Sequence, residues 1–299
     1  MSTQESTMFT RSFKPVLAAL ALVAAAPANA LVQTYSSGNG ELLFNLYDPT
    51  GTPVSFYFDL KPRAGFGSLA INDFLPRGAA DPDGTGPSVP GIATRSQTRL
   101  TWVIDDSVAG FSDFKRIADV QQQSSWKWNV VAGDSTGQPT GNQAHRYLST
   151  TQAPLSQVQT QSNTNLVGFN VTSAYVNAVN AASGADADAS GIVLDTAGLT
   201  GGYFGEGFQD NWLVKAVFDS TAGVGEEMDF FYLFSRPSST AGAIQFENRR
   251  GDDATWKFED IGNGAYLLSY SVPVSEPGTL AALLGGLGIL GAARRRRAS

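Results

Sequence analysis

Apolar and aromatic residues recur along this chain in short runs, many alternating with polar residues: ELLFNLY from Glu41, VSFYFDL from Val54, TRLTWVI from Thr98, WKWNVV from Trp126, NLVGFNV from Asn165, NWLVKAVF from Asn211, DFFYLF from Asp229, AIQFE from Ala243, TWKFEDI from Thr255 and AYLLSYSV from Ala265. Period-two alternation puts apolar side chains on one face of a strand. Turn-forming clusters separate the runs: DPTGTP, DPDGTGPSVPG, GDSTGQPTGN and NGAY. Many short strands with polar turns predict a mainly β body, an antiparallel β-sandwich or jelly roll. Two segments have helical character. SDFKRIADVQQQ starts at Ser112, with Ser112 or Asp113 as cap, and TSAYVNAVNAA starts at Thr172, with Thr172 or Ser173 as cap. QAPLSQVQTQSNTN, from Gln152, is poor in apolar residues and reads as a long surface loop. A boundary near residues 150–165 would divide the body into two subdomains, and a single compact domain is the other arrangement.

The two ends break this pattern. Arg11 and Lys14 precede the apolar stretch Val16–Ala26, and APANA follows it. Positive charge, an apolar run and a small-residue site in that order predict a signal peptide over residues 1–30, with Ala28 and Ala30 as the cleavage pattern. The predicted body is then residues 31–270, and residues 271–299 form a tail. In that tail, Gly278–Ala293 is uncharged and mostly apolar, and Arg294, Arg295, Arg296 and Arg297 follow it. As a single transmembrane helix the run would be ~24 Å long, against ~30 Å for a bilayer core. The arginines would hold its end on the cytoplasmic side as a stop-transfer signal. Gly286, Gly288 and Gly291 have the spacing of a dinucleotide loop, but no acidic residue follows about twenty positions on.

Val274, Ser275, Glu276 and Pro277, then the apolar run, then the arginine cluster, resemble a PEP-CTERM sorting domain. Glu276 and Pro277 match the second and third positions of that family's Pro-Glu-Pro motif, and Ser275 stands where its first proline would be. The resemblance implies an exported protein of a Gram-negative bacterium, held transiently in the inner membrane with its body in the periplasm. It implies processing by signal peptidase and an exosortase, and a link to exopolysaccharide and biofilm. It covers only the tail and leaves the activity of the body open.

Composition narrows the body's chemistry. The 299 residues carry a net charge of −7, with charged residues at 16% and 32 glycines. An acidic body without a basic stripe argues against nucleic acid as a partner. The absence of cysteine excludes disulfides, thiolate metal sites and a cysteine nucleophile. With one histidine, His145, a multi-histidine metal site is excluded too, and His145 itself reads as a surface loop residue.

Four patterns in the body suggest chemistry. Gly133, Asp134, Ser135, Thr136 and Gly137 match G-x-S-x-G, but Pro139 and Gly141 oppose the helix a nucleophile elbow needs, so a hairpin turn is expected. Asp186, Asp188 and Ser190, then Gly191, copy half of a calcium loop, yet Ala197 stands where a glutamate would complete the shell. Asp81 and Asp83 form a similar fragment. Calcium is therefore the only cofactor with any support. Trp126 and Trp128 share a strand face and are candidates for stacking on sugar rings or for burial in the core. Glu226–Glu227 and Asp252–Asp253 are carboxylate pairs of the kind used in glycoside hydrolysis, a residue type common in turns. The expectation is a non-enzymatic, structural or adhesive surface protein. The alternative is a secreted carbohydrate-binding or carbohydrate-cleaving protein.

Overall fold

The computed structural model describes residues 40–48, 54–61, 69–74, 99–118, 120–134, 145–168, 176, 180, 190–194, 220–247 and 251–273. Within them the protein is mainly antiparallel β, as the alternation predicts. The strands are β1 Leu43–Asp48, β2 Val54–Asp59, β3 Arg99–Ile104, β4 Lys127–Asp134, β5 Arg146–Thr151, β6 Ser190–Leu194, β7 Ala222–Gly223, β8 Glu227–Phe234, β9 Gly242–Gln245, β10 Thr255–Gly262 and β11 Ala265–Ser271. Hydrogen bonds join them into one sheet of order β3-β11-β10-β8-β5-β4-β1-β2-β6, with β7 on β4 and β9 on β8. The sheet runs across residues 150–165, because β5 pairs with both β4 and β8.

The two-layer packing expected of a sandwich arises here within a single curled sheet. Phe44 on β1 meets Phe258 on β10 at 4.9 Å between ring centroids, although β4, β5 and β8 lie between those strands in the sheet. The inward residues alternate as the sequence requires: Phe44 and Leu46, Phe56 and Val54, Trp128 and Val130, Phe230 and Tyr232, Trp256 and Phe258, Tyr266 and Leu268 all belong to one buried cluster. A second, smaller cluster covers the outer face of the central strands. Leu43, Tyr47, Tyr57, Val131, Tyr147, Phe231 and Leu233 pack there with Val158 and Leu166. Central strands are thus buried on both faces, which explains why LFNLYD reads as nearly continuous hydrophobicity.

Helix α1, Phe111–Ile117, fills the space where the sheet's two ends approach. Phe111 lies 5.2 Å from Phe56 on β2 and 5.6 Å from Tyr266 on β11, so one side chain touches both ends. Phe114 packs edge-on against Trp126 at 4.9 Å. The helix starts one residue before the predicted Ser112, and its N-cap is Gly110 in the left-handed conformation, φ 82°, without a side-chain cap. Close approach selects that glycine: a Cβ on Gly110 would lie 2.5 Å from Gly191 Cα on β6. Gly191 is constrained in turn, since its own Cβ would sit 2.6 Å from the Tyr57 hydroxyl. The rest of the predicted helix is a separate 3₁₀ segment, Val120–Ser125.

Three expectations need correction. The stretch from Gln152 is not a plain loop but carries two short helices, α2 Leu155–Val158 and α3 Asn163–Gly168. Val158 and Leu166 are its apolar anchors on the outer face. NLVGFNV is not a strand where it is described, because Asn165–Gly168 belongs to α3. His145 is not a surface residue: it is 3% exposed, and its main chain exchanges hydrogen bonds with Ser235 at 2.9 and 3.1 Å. The strand it introduces, β5, was hidden in RYLSTT by its polar half. Of the helix predicted from Thr172, only Val176 and Asn180 are described, and both are helical. The signal peptide and the tail lie outside the described residues. Among those that are described, no helix is long and apolar enough to cross a membrane.

One ion pair is sealed inside the curl. Arg146 on β5 donates to Asp134 Oδ2 on β4 from Nε at 2.8 Å and from Nη2 at 2.6 Å, with both residues essentially inaccessible. Its Nη1 donates to Asn72 Oδ1 at 2.9 Å, on the 3₁₀ turn Ile71–Phe74. Removing one member of a buried pair strands the other charge, at a cost of about 3–5 kcal/mol. Asp134→Ala should therefore lower the unfolding free energy by about that amount, and replacing Asp134 and Arg146 together by apolar residues should cost less. Denaturant unfolding of the three proteins decides this, and an equal loss in the single and double variants would refute it. Gly110→Ala, which meets both a positive φ and the Gly191 backbone, should destabilise by more than ~1 kcal/mol in the same measurement.

Candidate functional site

The described surface has a cleft of about 280 Å³ lined by Phe58, Asp59, Lys61, Ser107, Val108, Ala109 and Ser190. Three segments distant in sequence build it: the end of β2, the turn between β3 and α1, and the start of β6. Trp102 on β3 fixes the β2 end by donating its indole N–H to the Lys61 carbonyl at 2.6 Å. Asp105 shapes the turn, accepting from the Ser107 amide at 2.9 Å and from the Ser107 hydroxyl at 2.5 Å. Those two bonds, the hydroxyl's first, hold the Asp105 carboxyl below its ordinary range. The Ser107 hydroxyl is thus committed to a carboxylate as donor. Asp105, with its carboxyl held below the ordinary range, is a weak base for activating that hydroxyl, and His145 does not line the cleft. The volume is slightly below the usual range for small-molecule pockets, ~300–1,000 Å³. What the cleft offers is an apolar wall, hydroxyls, an ammonium and a carboxylate, suited to holding a small polar molecule. The sequence gives little sign of it, since no local motif joins Asp59, Ser107 and Ser190. The Asp-x-Ser turn signature at Asp105 and Ser107 is the one legible part.

The predicted site residues are scattered rather than gathered. Trp126 and Trp128 do share a face, but it is the inner one, and both are 0% exposed. Trp128 donates to the Gly223 carbonyl at 2.8 Å and packs near Phe44 and Phe258. Neither indole can stack on a sugar without opening the core, so the carbohydrate platform is withdrawn. Ser190 and Gly191 are strand residues paired with Phe58 and Tyr57, so Gly191 answers to strand packing and not to the sharp turn of a calcium loop. Asp186, Asp188, Asp81 and Asp83 lie outside the described residues, as do Ser135, Ala28, Ala30, Val274, Ser275, Glu276, Pro277 and Arg294–Arg297. Asp134, inside the G-x-S-x-G match, is the buried partner of Arg146. Among the described residues, no group of three or more His, Cys, Asp or Glu is placed to hold a metal ion. Tyr266, whose hydroxyl is buried, has a pKa pushed up to about 12 by burial and then by the charge of Asp260.

The two carboxylate pairs are separated in use. Glu226 Oε2 accepts from the Gly223 amide at 2.6 Å and shapes a turn. Glu227 and Asp253, one from each pair, instead flank Asp229 on β8. Asp229 is half-buried, and its carboxyl is raised above its usual value by desolvation first, then by the charges of Asp253 and Glu227. Gln245 Nε2 donates to its Oδ2 at 3.2 Å.

A carboxyl with a raised folded-state pKa binds its proton more tightly in the folded than in the unfolded chain. Its stabilising contribution is complete below the unfolded value of ~3.9 and is lost as pH rises through the folded one. Asp229→Asn should therefore raise the melting temperature at pH 7, and the gain should shrink towards zero as pH falls below about 4. Melting curves of the two proteins across that interval test this, and a gain independent of pH would refute it.

No family model matches the chain, and no curated protein or solved structure matches it.

Proposed function

We propose that this chain is an exported cell-surface or extracellular-matrix protein with a structural or adhesive, non-enzymatic body, delivered by a processed C-terminal sorting signal. One observation carries the reading: Glu276-Pro277, the apolar Gly278–Ala293 and Arg294–Arg297 follow one another in the order of a PEP-CTERM tail. The signal-peptide pattern ending at Ala30 supports export. A body whose described residues form one tightly packed β sheet, with Trp102, Trp126, Trp128 and Trp256 in its core, is consistent with a stable extracellular module. Burial of Trp126 and Trp128 favours the structural reading over a carbohydrate-binding one.

In this reading the apolar run crosses the inner membrane. It is about 6 Å shorter than a typical core, so its hold is marginal and depends on the arginines. The arginines keep Glu276 and Pro277 at the outer membrane–water boundary, within reach of a membrane-embedded exosortase. The released body would then reach the surface, where exopolysaccharide is a candidate partner.

Fractionation of cells and intact mass of the recovered protein test the proposal together. The mature chain should begin at Leu31. Replacing Glu276 and Pro277 by alanine should leave the body in the membrane fraction, and replacing Arg294–Arg297 by serine should impair retention and orientation. Release of the alanine variant at the parental level would show that the motif is not read. A mature chain retaining Arg11 and Lys14 would overturn the export step.

A further inference from the structure

β3 ends the sheet. It pairs with β11 through residues 99–104 and, among the described residues, has no strand on its other side. Such an edge presents a row of backbone donors and acceptors to a further strand. Natural edges are commonly guarded by lysine, proline or a bulge. RLTWVI has none of these. Its outward residues Arg99, Thr101 and Val103 are exposed, and Val103, at 53%, is the most exposed large hydrophobic side chain described. Ile261, at 49%, lies near the end of β10, beside the β10–β11 turn.

The charge pattern of this edge is complementary to itself. Antiparallel pairing keeps outward residues opposite outward residues, so only registers that match positions of like parity are open. The register centred on Trp102 sets Thr101 of one copy opposite Val103 of the other. Continued one residue beyond the end of β3 at Ile104, it also brings Arg99 of each copy beside Asp105, the first residue of the turn, of the other, twice by symmetry. Asp105 is held in place by its two bonds from Ser107. The register centred on Thr101 leaves Arg99 opposite Val103, with no carboxylate across from it. A parallel arrangement in register would set Arg99 beside Arg99. Opposite charges directly across a strand pair stabilise it, and like charges oppose it.

The geometry points to β3 as a self-association edge: two copies of this chain pair β3 against β3, antiparallel and centred on Trp102, so that one sheet continues through the dimer. This does not rest on the tail or on the exported destination. It commits the surface to a second copy because the charges that select the register come from the same strand end and turn.

The chain contains no cysteine, so introduced thiols report the register without background. Full-length chains carrying Thr101→Cys and Val103→Cys are prepared separately in mild detergent, mixed and oxidised. The mixture should give a disulfide-linked dimer on a non-reducing gel, several-fold more than either chain alone. Adding Arg99→Asp to both chains places like charges opposite each other and should reduce trapping roughly tenfold or more. Pairing an Arg99→Asp chain with an Asp105→Arg chain restores opposite charges and should recover it. Matched melting temperatures exclude unfolding as the cause, and Arg99→Asp, on an exposed side chain, gives the decisive comparison if Asp105→Arg disturbs its turn. Equal trapping in every combination, trapping indifferent to Arg99→Asp, or none with the parental charges would overturn the proposal.

Discussion

The contact between Phe44 and Phe258 can form only if the sheet bends far enough for strands that are not neighbours to meet. Every other feature of the body follows from that closure. Antiparallel strands with apolar residues on one face would leave a flat sheet's inner face in water. Curling it buries that face against itself, at roughly 25 cal/mol for each Å² of apolar surface removed from water. Rings dominate the contact: Phe230, Trp256, Tyr270 and Phe74 interlock at one end of the cluster, and Phe56, Phe111, Phe114, Trp126 and Tyr266 at the other. Helix α1 makes the closure stable, because Phe111 binds β2 and β11 at once. That arrangement needs Gly110 and Gly191 back to back, so two glycines far apart in sequence form one packing unit.

Closure also sorts polar groups. Arg146, Asp134 and Asn72 satisfy one another inside the curl, where burial without partners would be prohibitive. On the outer face, Asn45 donates to Asn129 at 3.0 Å across the β1–β4 pair, both side chains buried. These pairs add less net energy than the aromatic core, but they penalise register shifts, since a slip by one residue would leave each group buried without its partner.

What remains for recognition is the periphery. The central strands are covered on both faces, so the accessible features among the described residues include the cleft near Ser107, the carboxylates around Asp229 and the outward face of the β3–β11–β10 end. The proposed role rests on delivery and on surface contact.

Alternation and turn chemistry were enough to predict strands at ELLFNLY, VSFYFDL, TRLTWVI, WKWNVV, DFFYLF and TWKFEDI, each of which overlaps an observed strand, and the turn at Asn263-Gly264 between β10 and β11. These signals are local, arising from side-chain period and backbone preference. The tail's order of motif, apolar run and arginines is equally local, which is why it could be read without the fold. Partners across the sheet were not legible. RYLSTT looked polar because Arg146 and Thr150 face inward only by virtue of Asp134, Asn72 and the Val130 amide, contacts no local window contains. Trp126 and Trp128 could be assigned a common face but not inside or outside, because period two is symmetric until a second layer covers one side. Gly191 looked like a loop glycine for the same reason: the neighbour that excludes a side chain there, Gly110, lies far away in sequence and is brought to it only when the sheet closes.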